Sequence, residues 1–221
     1  MYSLLFNNIE TVFVSKYLEN KTSKLYNFKK RIVIPNFLPK IYNNQSNQIS
    51  KQNNIKRIVW SVQRNKGLLD LLEIWKYKIK PLFPKAELHI FSIKQKKNIN
   101  HIKNNIFFHG RVDRKKLINF YSRSTGMVCL GYDETFCLNA IESMRMGLPV
   151  ISLCKTALKE IIINNKNGYK VNSIKSIDKS IIKLFNLSNS KFNRLSKSSI
   201  IFSKKYISRN IFKKWDKLIG N

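Results

Sequence analysis

The chain has 221 residues and a formal net charge of +30, with a sequence pI near 10.2. That length can bury one good core and part of a second, and no apolar run approaches a transmembrane span, so any membrane contact would be peripheral. Three cysteines (Cys129, Cys137 and Cys154) without Cys-x-x-Cys spacing, and with no signal peptide ahead of them, point to a reducing cytoplasm.

In chain order, Thr11-Val-Phe-Val-Ser15 reads as a strand, Tyr17 and Leu18 begin a helix, and a second strand ends at Ile32-Val-Ile-Pro-Asn36. Residues 43 to 54 are a run of Asn, Gln, Ser and Lys that reads as a polar linker. The predicted domains are therefore 1–42, a linker at 43–55, and 56–221. Val59-Trp-Ser-Val-Gln-Arg64-Asn-Lys66-Gly67 is a strand and a turn; Leu68, Leu69, Leu71, Leu72, Ile74 and Trp75 then give a helical apolar face. Pro84 to Phe91 and Asn105 to Val112 are two further strands, and Asp113 caps a helix running to Tyr121. Met127-Val-Cys-Leu130 is a buried strand, broken by Gly131 and Tyr132. A short helix beginning near Phe136 or Cys137 stops at Gly147, and Pro149-Val-Ile-Ser-Leu153 returns as a strand. Ala157 to Glu160 and Asn167 to Val171 supply one more helix and strand. Phe202 to Leu218 is a basic helical stretch containing Trp215. Strands alternating with helices predict an α/β class with a Rossmann-like, mostly parallel sheet and helices on both faces. A ligand would then lie beyond the carboxyl ends of the strands.

The most informative segment is Glu134-Thr-Phe-Cys-Leu-Asn-Ala-Ile-Glu142-Ser-Met-Arg-Met-Gly147-Leu-Pro-Val-Ile. It sets two carboxylates eight positions apart, the first after a strand and the second inside a helix. The start of that helix (Phe136, Cys137, Leu138) presents unpaired N–H groups and a positive dipole end, an anion site. A carboxylate beside Ala140, Ile141 and Met144 is costly without a partner. A vicinal diol suits it, because two hydroxyls can donate to both carboxylate oxygens.

This segment resembles the donor-binding half of the GT-B glycosyltransferases, specifically the retaining group 1 or family 4 enzymes. Their signature is a Glu, seven residues, a second Glu, small residues, Gly and Pro-Val-Ile. The resemblance implies that Glu142 holds ribose hydroxyls and that Glu134 lies beside the donor sugar. It gives Lys66, before Gly67 in its turn, a grip on the diphosphate, with Arg64 as a second cation. Many members carry an Arg where this chain has Ser61. The turn Gly110-Arg-Val112 would read the base through main-chain atoms near Val112. Cys137 replaces the usual Gly and would narrow the space above the phosphates. Arg145, where a small residue is usual, is expected on the outer face.

The implied function is transfer of a sugar, with retention, from a UDP- or GDP-sugar to a glycan or lipid-linked acceptor, as in polysaccharide biosynthesis. No cofactor and no metal are expected: His89, His101 and His109 have no ligand spacing, and the Asp-x-Asp pair of metal-dependent GT-A enzymes is absent. The first 42 residues resemble the last element of an acceptor domain, with Val14-Ser-Lys-Tyr-Leu18 and Ile34-Pro-Asn36 motifs before the hinge. A separate acceptor-domain subunit is therefore one expected partner. Rival readings are a non-catalytic or degenerate donor-binding fragment, a subunit of a split transferase, and a basic nucleic-acid-binding module. The basic residues are spread along a chain rich in Lys, Asn and Ile, and no nucleic-acid motif is present. Composition is the favoured cause of the charge and no specific nucleic acid is expected. Attraction to an anionic membrane at the inner face comes next.

Overall fold

The computed structural model describes residues 8–23, 26–42, 55–91 and 102–220. Two sheets are formed. In the smaller, β1 (Glu10–Phe13) and β2 (Lys30–Val33) pair in parallel across α1 (Lys16–Lys21). Ser15 caps α1, its hydroxyl accepting from Leu18 N at 3.1 Å. The polar stretch 43–54 and His101 lie outside the described residues.

The larger sheet has six strands in the order β5-β4-β3-β6-β7-β8, every pairing parallel. They are β3 (Arg57–Trp60), β4 (Glu87–Ile90), β5 (Ile106–Phe108), β6 (Gly126–Val128), β7 (Val150–Ser152) and β8 (Gly168–Lys170). Between them run α2 (Leu68–Ile74), which continues as a π-helical turn over Trp75–Ile79, then α3 (Arg114–Ser122), α4 (Leu138–Arg145) and α5 (Leu158–Ile161). After the sheet come α6 (Ile177–Phe185), α7 (Asn189–Ser203) and α8 (Ser208–Ile219). The fold is α/β and Rossmann-like, with helices packed around a parallel sheet.

Parallel strands are covered on both faces, so they need continuous apolar runs rather than alternation. Met127-Val-Cys-Leu130 meets that need, and all four side chains are fully buried. Trp60, Trp75, Tyr121, Leu88 and Ile90 fill the core around them. Full burial of each aliphatic side chain contributes about 1.5–3 kcal/mol. The strand order turns back between β3 and β6: from β3 the chain builds outward through β4 to β5, then returns to the other side of β3. Loops leaving those two strands diverge and open a crevice.

The structure departs from the sequence expectation at two places. Arg145 does not sit on an outer face; it is buried, and its Nε donates to the Tyr42 carbonyl at 3.0 Å. The segment ending at Tyr42 and helix α7 both cover α4, which leaves that helix no solvent face. The basic C-terminal stretch is also not one helix. Ile207 is extended between α7 and α8, because Leu38 bridges to it and Leu38 N donates to Tyr206 O at 2.7 Å. On α8 only Ser208 and Ile211 are buried, whereas Phe212, Trp215 and Ile219 are exposed. Phe212 meets Phe37 edge-on at 4.9 Å.

Candidate active site

The crevice between β3 and β6 holds a cavity of about 340 Å³. One wall comes from the loop after β3, with Val62, Gln63 and Lys66; the other is the continuous run Asp133 to Asn139 after β6, and Asn36 closes the rim. Of the residues singled out in the sequence, Lys66, Glu134, Phe136, Cys137 and Leu138 line this one space. Gln63, Asp133 and Thr135 also line it without having been singled out in the sequence, since isolated polar loop residues leave no pattern, and Asn36 joins them from the Ile34-Pro-Asn36 motif.

Several contacts fix the walls. Lys66 ends a 3-10 turn that Arg64 opens, and its Nζ donates to the Asp133 carbonyl at 2.8 Å, across the crevice. Gly67 follows at φ 102°, where a Cβ would stand 2.7 Å from Leu130 Cδ1 and 3.0 Å from the Tyr132 ring. Only a residue without a side chain lets this turn lie so close to the β6 loop. Asn139 Nδ2 donates to the Ser61 carbonyl at the end of β3, which ties the first turn of α4 to the crevice. The Ser61 hydroxyl pairs with Tyr121 Oη at 2.7 Å in the interior, so this residue is a core link where the resemblance would place a cation. Phe136 lines a second cavity of about 380 Å³ as well, and packs edge-on against Tyr206 at 5.5 Å. The small sheet reaches the same loop: Ser15 Oγ donates to the Thr135 carbonyl at 2.6 Å. Lys16 N and Tyr17 N, at the start of α1, donate to the Glu160 carboxylate at 3.1 and 2.5 Å.

Cys137 takes the N-cap position of α4 at φ 66°, a left-handed conformation that favours glycine. Its sulfur lies 3.5 Å from the buried Cys129 sulfur, so the thiol turns toward the interior even as the residue borders the cavity. Glu134 is half-buried; burial raises its pKa, Lys66 opposes the rise and Asp133 adds to it.

Glu142 is placed differently. It does not line the crevice cavity but lies inside α4, 2% exposed. Arg114 Nε, from the first turn of α3, stands 3.5 Å from its Oε1, and that oxygen has no hydrogen-bond partner among the described residues. The buried Tyr42 hydroxyl faces the same carboxyl. Burial raises the Glu142 pKa against the opposing pull of Arg114 and Tyr42. The ion pair brings the β5–α3 turn, and so Gly110 and Val112, toward α4; Val112 is partly buried against the core. Neither Arg114 nor Tyr42 was singled out in the sequence, because both approach Glu142 only through the tertiary fold.

His89 and His109 form a stacked pair beneath Phe91, Phe107 and Phe120, with His89 Nδ1 2.8 Å from His109 Nε2. His89 Nε2 lies 3.0 Å from the Glu87 carboxylate, which can only accept when ionised. That network makes His89 a donor at Nε2 and an acceptor at Nδ1, with His109 donating. His89 lies in β4 and His109 directly follows β5, and both are packed in an aromatic cluster.

The crevice at the strand reversal of this Rossmann-like parallel sheet thus gathers a lysine, a carboxylate and a helix N-terminus. The family description "Glycosyl transferases group 1" matches residues 41–200, and the chain belongs to that family. No curated protein matches the sequence. Among solved structures it is similar to TarM from S. aureus, at 17% identity and a TM-score of 0.79, with 96% of this chain and 44% of TarM covered. Sucrose-phosphate synthase from Thermosynechococcus elongatus aligns at 17% identity and a TM-score of 0.77, over 98% of this chain and 59% of that one. WaaG, a glycosyltransferase of lipopolysaccharide biosynthesis, gives 14% identity and a TM-score of 0.74, over 95% and 62%. At such identities the likeness is one of fold, and the chain spans less than two thirds of each of these proteins. Among the described residues no helix is long and apolar enough to cross a membrane.

Proposed function

We propose that this chain is the donor-binding part of a glycosyltransferase that moves a sugar, with retention, from a nucleoside-diphosphate sugar to a glycan or lipid-linked acceptor. The observation that carries this reading is the convergence of Lys66, Glu134 and the α4 N-terminus on one cavity at the strand reversal. The TarM structure, which contains UDP, fits the same donor class.

In this reading the donor diphosphate lies over the first turn of α4, whose N–H groups have no intrahelical acceptors. Lys66 exchanges the Asp133 carbonyl for phosphate oxygens. Both stabilise the charge that grows on the leaving diphosphate as the glycosidic bond breaks. Glu134 accepts from sugar hydroxyls, and Glu142 accepts from the ribose diol once Tyr42 and Arg114 make room. Gly67 permits close approach of the turn, Val112 reads the base through its backbone, and Arg64 supplies a second cation. The acceptor hydroxyl attacks from the face the diphosphate leaves, and a donor phosphate oxygen takes its proton. This chemistry asks for no metal or cofactor. An acceptor domain or subunit completes the enzyme, which would work in the cytoplasm, against the inner membrane surface when the acceptor is a lipid.

The test is calorimetric titration of the purified chain with UDP, GDP and ADP in the absence of metal. Saturable binding of one of them is expected and names the base; no binding at millimolar nucleotide refutes a working donor site and restores the degenerate-fragment reading.

A further inference from the structure

The loop after β6 also brings together three groups whose combination the proposed transfer does not use. Cys129 Sγ, Cys137 Sγ and a Glu134 carboxylate oxygen lie within 4.8 Å of one another, the two sulfurs 3.5 Å apart. Both cysteines are free and buried, and Glu134 and Cys137 border the cavity. Thiolate bonds to a tetrahedral zinc-type ion of about 2.3 Å put two sulfurs roughly 3.8 Å apart. The observed pair needs to open by only a few tenths of an ångström to meet that spacing. A disulfide, at about 2.05 Å, would need the sulfurs to close by roughly 1.5 Å within a packed core. Of the two, capture of an ion asks for the smaller movement of this sulfur pair.

We propose that Cys129, Cys137 and Glu134 form a site for one thiophilic divalent cation of the Zn²⁺ or Cd²⁺ type, with its fourth position open to the crevice. Each thiol releases its proton as the sulfur lone pair bonds the ion, and no electrons are transferred. Two thiolates and a carboxylate suit a soft or borderline cation and not Mg²⁺. Lys66, near Glu134, opposes binding, so the site discriminates by sulfur affinity rather than by net charge. Occupancy would draw Glu134 away from the donor sugar, making the ion an inhibitor. That consequence rests on the function proposed above, whereas binding itself does not.

The experiment is titration of the reduced full chain with Cd²⁺, without nucleotide, following thiolate-to-metal charge-transfer absorption. Saturation at one ion per chain is expected, unchanged in Cys154→Ser. Cys129→Ser and Cys137→Ser should each weaken binding on the order of 100-fold, at least the loss typical of disturbing a ligand's supporting contacts. Should a serine variant fail to fold, Glu134→Gln, at the cavity wall, decides: weakening of about tenfold or more is expected. Absence of the band, its loss in Cys154→Ser, or unchanged affinity in Glu134→Gln overturns the assignment.

Discussion

Replacing Glu142 by Gln isolates the part of the site that the fold strains most. The carboxylate is buried, its Oε1 has Arg114 Nε at 3.5 Å and no hydrogen-bond partner among the described residues, and burial holds its pKa above the ordinary value. Gln keeps the shape and removes the charge. If the carboxylate receives two ribose hydroxyls, the amide can accept at only one atom. Its NH₂ must then face a hydroxyl that formerly donated. Loss of one charge-assisted hydrogen bond, at about 1.5–3 kcal/mol, together with the misplaced donor gives a total near 3 kcal/mol. The expected result is a nucleotide Kd raised about 150-fold. Stability should move the other way. A carboxyl with a raised folded-state pKa binds more protons folded than unfolded, so the native chain loses stability as pH rises through the window between the two values. The Gln variant lacks this loss, and its melting temperature should equal or exceed the native one at pH 7, with the gap narrowing on acidification. Calorimetry with whichever of UDP, GDP or ADP binds the native chain, paired with thermal melts at pH 5 and 7, checks both halves. Unchanged affinity in a folded variant refutes the ribose assignment; a much lower melting temperature refutes the picture of an under-partnered buried charge.

Lys66→Ala should weaken binding of a nucleoside diphosphate about 10- to 100-fold and leave affinity for the free nucleoside alone. Thermal stability should change by no more than about 0.5 kcal/mol, since the lysine's bond to the Asp133 carbonyl is exposed. Gly67→Ala forces a side chain into φ 102° and against Leu130, and should cost about 1–3 kcal/mol in chemical denaturation. The His89–His109 pair predicts acid sensitivity. Burial lowers the His109 pKa to about 4, with His89 and Lys116 adding to the fall, and burial lowers that of His89 against Glu87. Depressed histidine values mean that the unfolded chain takes up protons first, so the stability they contribute is intact above the ordinary histidine range and lost as pH falls from there toward 4. Because His109 is partly open to solvent, about 1–2 kcal/mol is expected. Melts from pH 7 to 4.5 should show the loss, and His109→Phe, which keeps the stacking on Phe91 and Phe120, should reduce it.

Much of this protein was legible in one dimension because its signals are local. Strand runs such as Met127–Leu130 are apolar throughout since both faces of a parallel sheet are covered. Asp113 caps α3 as its position announced, its side chain accepting from Lys116 N at 2.8 Å. Gly147 ends α4 in the left-handed conformation (φ 85°), where a Cβ would stand 2.5 Å from Ser196 Oγ. The Glu-seven residues-Glu spacing with its Gly-Leu-Pro-Val-Ile exit suffices to indicate the family, because spacing along a strand–loop–helix unit is itself a local property.

What lay beyond the sequence depends on which surfaces meet. The resemblance sets Arg145 on an outer face, and only the segment ending at Tyr42 and helix α7, both folded over α4, make that face an interior one. The Phe202–Leu218 stretch has unbroken helical character on its own, yet Leu38, far away in the chain, draws Ile207 into an extended bridge. The cluster of Cys129, Glu134 and Cys137 likewise exists only because the loop after β6 turns back at Gly131 and Asp133, both at positive φ, before α4 begins. The sequence by itself determined the elements, the parallel α/β class and the family, since hydrophobic period, caps and motif spacing act within a few residues. The tertiary structure alone decided which side chains share the crevice, how deeply Glu142 is buried and what faces it, because those depend on distances between residues that the chain order leaves free.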